Sequence, residues 1–151
     1  MQHGPTANLV SGRLVACYQE SCDIYQGSWQ HLQNTTVRNG LHRSATTEDA
    51  VLLIWGCHSN TTELIPVDGS IAQQGPFTVR HGWNHCTIQV SEEIIVVTGG
   101  RKSLDFVTQY QLTDGGNETP LTAFGQPQSG HACGVYQDAG IPDIYRIAHW
   151  V

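Results

Sequence analysis

Positive charge is scarce in this 151-residue chain: seven Lys and Arg stand against thirteen Asp and Glu, for a net charge of -6. With no basic stripe to release counterions from a phosphate backbone, nucleic acid is excluded as a partner, and Arg101-Lys102 is an isolated pair. Charged residues of all kinds make up 13% of the chain, about half the usual share, and a helical bundle would want more Leu, Lys and Glu. Apolar runs are short, so none can cross a bilayer as a helix. Met1-Gln2-His3-Gly4-Pro5 has neither the basic nor the apolar region of a signal peptide. Gly99-Gly100-Arg101-Lys102-Ser103 lacks the leading glycine of a phosphate loop.

What the chain has is glycine, 16 residues of it, set between short β-branched runs. Ile94-Ile95-Val96-Val97-Thr98 stops on Gly99-Gly100, as a buried strand leaving into a turn does. Val51-Leu52-Leu53-Ile54-Trp55-Gly56-Cys57 is its degenerate partner. Each run follows a strand headed by histidine and a polar turn, and a third such strand opens at His131. The separations from His42 to His85 and from His85 to His131 are 43 and 46 residues, a period at which propeller blades recur. A third strand and a weak fourth follow in each period, which makes one four-stranded blade.

The glycine-ended runs, together with the spaced aromatics of Tyr25-Gln26-Gly27-Ser28-Trp29, resemble the kelch repeat of the galactose oxidase central domain. The cysteines in Cys17 and Ser21-Cys22-Asp23, with Thr61-Thr62-Glu63-Leu64 and Gly130-His131-Ala132-Cys133, resemble secreted, cysteine-containing kelch proteins of invertebrates. Gly56-Cys57 departs from the pattern by lacking the second glycine, and the second and third repeats lack the Trp. The resemblance implies an all-β fold, a kelch-like β-propeller fragment of about three four-stranded antiparallel blades in a single domain, 1–151. Residues up to Gly12 are expected to be a loose lead-in, followed by a half-blade at 13–34, blades at 38–80 and 81–126, and a half-blade at 128–140. The tail 141–151 leaves the pattern. Its apolar positions at 144, 147, 148 and 151 have helical spacing, which favours a helix or disorder over the competing reading, a strand cut short.

Candidate chemistry is sparse. If the His-headed strands lie nearest the axis, His42, His85 and His131 could converge on zinc or copper. Packing at equivalent repeat positions explains their recurrence more simply. His85 and Cys86 point to opposite faces of a strand, so the imidazole cannot activate that thiol; His131 and Cys133 share a face but no carboxylate is identified to orient them. Cys86 and Cys133 read as buried inert thiols. The galactose oxidase copper radical site draws Tyr, His and Cys from several blades, and Tyr18, Tyr25, Tyr110, Tyr136 and Cys57 form no matching motif.

Five cysteines leave at least one without an intrachain partner. Cys17 and Cys22 flank a Gln19-Glu20 turn, and either close a small hairpin or are two small buried residues. Asn34, Asn60 and Asn117 each open an N-glycosylation acceptor at a turn between strands. These features favour secretion from a native start that lies upstream. The expectation is therefore an extracellular, non-enzymatic module without a cofactor that binds a protein, or a glycan, through its loops. A metal-dependent oxidoreductase resembling galactose oxidase is the alternative. Because propellers have at least about four blades, either a homodimer completing a six-bladed ring or an aggregation-prone fragment is also expected.

Overall fold

The computed structural model describes residues 5–37, 42–56, 59–102, 105–113, 115–122, 132–137 and 145–150, and these form fourteen strands with no helix among them. The first sheet comprises β1 (Thr6–Val10), β2 (Arg13–Cys17), β3 (Ser21–Tyr25) and β4 (Trp29–Asn34), antiparallel and in chain order. The expected lead-in is thus partly a strand, and the half-blade at 13–34 is a whole four-stranded sheet. Ser11 and Gly12 explain why: both adopt positive φ, 48° and 73°, as a two-residue hairpin needs when its twist is to match that of its strands.

The second sheet follows the same order with β5 (His42–Thr46), β6 (Ala50–Trp55), β7 (Thr61–Pro66) and β8 (Gln73–Thr78). The third comprises β9 (Cys86–Gln89), β10 (Ile94–Thr98), β11 (Val107–Gln111) and β12 (Glu118–Pro120). Gly115 and Gly116, at φ 80° and 74°, turn the chain back into its short fourth strand.

A hairpin of β13 (Ala132–Gln137) and β14 (Tyr145–Trp150) ends the described chain. Its second strand matches the competing reading of the tail, a strand, rather than the favoured helix or disorder. Pairing with β13 from Tyr145↔Gln137 to Ala132↔Trp150 supplies the partner that a local spacing argument leaves out, and tertiary context overrides a short segment's propensity.

Strand alternation builds the core. Every residue of β6 is buried, because sheets cover both of its faces. Val51, Leu53 and Trp55 face the first sheet and meet Val10, Val15 and Ile24. Leu52 and Ile54 face the third and meet Ile95, Val97 and Tyr110. Truncating a side chain such as Leu52 to Ala costs about 2–5 kcal/mol in such packing.

The first strands of successive sheets, β1, β5, β9 and β13, lie against one another in a row, so the sheets are blades fanned from an inner line. Each step along that line carries its own crosslink. Thr6 Oγ1 meets His42 Nε2 at 3.1 Å between β1 and β5. Gln89 Nε2 donates to the Thr46 carbonyl at 2.7 Å, and Gln89 Oε1 accepts from Thr46 N at 2.9 Å, between β5 and β9. A Cys86–Cys133 disulfide joins β9 to β13, so these two cysteines are bonded where inert thiols were expected.

Candidate functional site

Of the residues singled out in the sequence, Cys17, Cys22, Asn34, His42, Asn60 and His85 lie along one rim, where β2, β6 and β10 end and β3, β7 and β11 begin, and Asn117 lies at the other. On the first blade a Cys17–Cys22 disulfide crosses the gap between β2 and β3. His42 opens β5, buried edge-on against Trp55 at 5.0 Å. Burial pushes its pKa down to about 4, with Arg43 adding in the same direction and a hydrogen bond to the Cys17 backbone opposing. His85 is also buried, its Nδ1 donating to the Gly82 carbonyl at 2.7 Å. His131 lies outside the described residues, as does Cys57. The two described histidines of the expected trio thus have separate partners: His42 bonds across to β1 of the first blade, and His85 bonds within the turn that precedes β9.

Close approach dictates the glycine that follows β6. A Cβ on Gly56 would stand 2.5 Å from the Gly82 carbonyl oxygen and 2.9 Å from the His85 ring, and carbon atoms do not approach that closely without displacing their neighbours. The connection from β8 to β9 therefore lies directly on the end of β6.

The same connection is tied to the loop between β10 and β11. Arg101 N donates to the Trp83 carbonyl at 2.9 Å and Lys102 N to the His81 carbonyl at 3.2 Å. The guanidinium of Arg101 lies 4.5 Å over the Trp83 ring, where the ring quadrupole attracts it. His81 Nδ1 is 2.7 Å from the Gly99 carbonyl, and its Nε2 is 2.9 Å from Thr108 Oγ1. A carbonyl can only accept, so Nδ1 carries the proton and Nε2 accepts from the threonine hydroxyl. Burial lowers the His81 pKa, against the Gly99 bond and the Glu118 carboxylate, so the ring is neutral at physiological pH.

Two cavities open beside this lattice. One, of about 500 Å³, is lined by Gly56, Ser59, Asn60, Arg80, Gly82 and Lys102. The other, about 400 Å³ and more apolar, is lined by Arg80, Phe106, Val107, Tyr110, Glu118 and Leu121. Arg80 borders both. Tyr110 stacks on Phe77 at 4.5 Å, and burial, reinforced by Glu118, pushes its hydroxyl up to about 12. Both cavities went unseen in the sequence because their walls combine the β8–β9 connection with residues far from it along the chain.

The three glycosylation candidates are exposed. Asn60 and Asn117 precede β7 and β12, while Asn34 is the last residue of edge strand β4 rather than a turn residue. Among the described residues no three of the His, Cys, Asp and Glu side chains cluster as metal ligands would, and no helix is long and apolar enough to cross a membrane.

No protein-family model matches the sequence, and no curated protein matches it. Solved structures do. The N-terminal domain of Nup159, a β-propeller, superposes with a TM-score of 0.51 at 5% identity, over 82% of this chain and 31% of that one. The chain is built of propeller blades. A second similar structure, S. cerevisiae dbp5 bound to nup159, gle1, IP6 and ADP, has a TM-score of 0.50 at 5% identity with the same coverage. The chain spans about a third of the length of the structures it matches, and at this identity the likeness is one of fold.

Proposed function

We propose that this chain is a non-enzymatic, kelch-type protein-interaction module that works outside the cell. The observation that carries the reading is the pair of adjoining cavities at the blade rim, held open by backbone bonds between the β8–β9 and β10–β11 connections. Rigid β-blades that present loops at one rim suit recognition of another macromolecule. The nup159 of a similar structure is seen bound with dbp5 and gle1, in keeping with such a role for the fold. Two disulfides and the exposed Asn34, Asn60 and Asn117 acceptors suit an oxidising, glycosylating compartment, and a glycan partner is the secondary reading of the same rim.

The module also has an open side. Leu9 and Leu14 pair across β1 and β2, and Tyr25 and Trp29 pair across β3 and β4, all four exposed on the face of the first blade turned away from the second. A second copy would cover this face and extend the ring.

Metal analysis of the natively purified chain, beside His85→Ala and with recovery of bound proteins, tests the reading. A discrete protein partner recovered with the chain supports it. A stoichiometric copper or zinc that is lost in His85→Ala would overturn it in favour of metal-dependent oxidation.

A further inference from the structure

We propose that the two adjoining cavities form one bipartite groove for an acidic, partly apolar segment of a partner protein. A carboxylate side chain seats between Arg80 and Lys102, and an apolar side chain next to it enters the neighbouring cavity beside Phe106, Val107 and Leu121. The inference rests on the protein-interaction reading and adds the chemistry of the partner.

Charge distribution is the first argument. The whole chain holds seven Lys and Arg and is acidic overall, so its general field repels an acidic segment. Yet Arg80, Arg101 and Lys102 all belong to the two connections that wall this groove. Concentrating scarce cations at one cavity creates a local potential opposite to that of the rest of the surface, which steers and orients an anionic partner.

Positioning is the second. Lys102 is fixed through its backbone bond to His81, and its stem lies over Gly82, where an added Cβ would come 2.9 Å from Lys102 Cγ. Gly82 has φ 72°, so the absence of a side chain both permits that backbone shape and leaves room for the lysine stem. Arg101 is drawn aside onto Trp83, and Lys102 and Arg80 line the first cavity.

The apolar half supplies direction. Phe106 is 56% exposed and Leu121 39%, an apolar lip that a side chain of the partner would cover. Glu118 lines this half as well and repels a second carboxylate there, so acid and apolar groups have separate seats. Repulsion at one end is how a groove rejects the reversed orientation.

The experiment uses the whole chain made in a bacterial periplasm, which forms disulfides without attaching N-glycans, so that no sugar stands at Asn60. Probe peptides carrying Asp or Glu beside Leu or Phe are titrated while backbone amide resonances are recorded, with probes in which the acids become Asn or Gln as the comparison. Binding of the acidic probes should shift the resonances of residues 79–82 and 99–102. Affinity should fall about tenfold or more in Lys102→Glu and with rising salt, and Phe106→Ser should weaken binding without changing its salt dependence. Equal binding of the amide probes, binding indifferent to Lys102→Glu in a variant whose core resonances are unchanged, or no shift with any probe would overturn the proposal. A native partner that crosslinks only to the opposite rim would overturn it too, while leaving the interaction-module reading intact; recovery of no partner at all counts against that reading itself.

Discussion

The side-chain amide of Gln89 bonds to the backbone of Thr46 in both directions, its nitrogen giving to the carbonyl and its oxygen taking from the N–H. It acts as one rung of a sheet ladder between strands that belong to different blades. Gln89→Leu keeps much of the volume and leaves two part-buried backbone groups without that partner. The expected cost is about 1–3 kcal/mol, read from the denaturant midpoint at unchanged slope. A variant as stable as the parent would show that water replaces the amide there.

Histidine burial makes the fold sensitive to acid. The His42 pKa is pushed down to about 4 from 6.5, so between those pH values the unfolded chain binds a proton that the folded chain does not. Its contribution is present in full above pH 6.5 and is lost as pH falls toward about 4. The loss is about 3 kcal/mol for this one buried group, and His81, lowered for the same reason, adds in the same direction. Unfolding free energy measured from pH 7 to 4 should therefore fall, and His42→Gln should flatten part of that slope.

The blade pattern was legible in the sequence because it depends on local signals: β-branched runs, glycine stops and a period that repeats. The Val51 to Trp55 and Ile94 to Thr98 strands carry those signals in full. β1 was missed because Thr6–Val10 mixes polar and apolar residues and leaves Leu9 68% exposed; the Ser11-Gly12 dipeptide was its one local mark. β14 stayed open between a helix or disorder and a strand because its partner is the decisive information. The candidate site was legible only in pieces, since His81 to Gly99, bonded at 2.7 Å, and Arg80 to Lys102 are relationships made by folding rather than by spacing.

The disulfide between Cys86 and Cys133 spans 47 residues. Constraining a loop of that size in the unfolded chain is worth about 4 kcal/mol on chain-entropy grounds. Cys86→Ser with Cys133→Ser should lower the melting temperature well below that of the Cys17→Ser, Cys22→Ser pair, whose bridge closes a loop of only a few residues. Equal losses in thermal unfolding would contradict the entropic account.

Self-association is expected through the open face of the first blade. Sedimentation of the chain at micromolar concentration should reveal a dimer or larger species, and Leu9→Lys with Leu14→Lys should shift it to monomer without loss of β signal in circular dichroism. A stable monomer in the unsubstituted chain would mean that this face needs no cover.

Photo-crosslinking tests the role of the rim most directly. A photoreactive residue is placed at Ser59 or Asn60 beside the cavities, and in parallel at Ser70 or Glu92 in turns at the opposite ends of the blades. The chain is then illuminated in its native setting. Crosslinks to a discrete protein from positions 59 and 60, and not from 70 and 92, are the predicted result. Crosslinks to that protein from the opposite ends alone would contradict it.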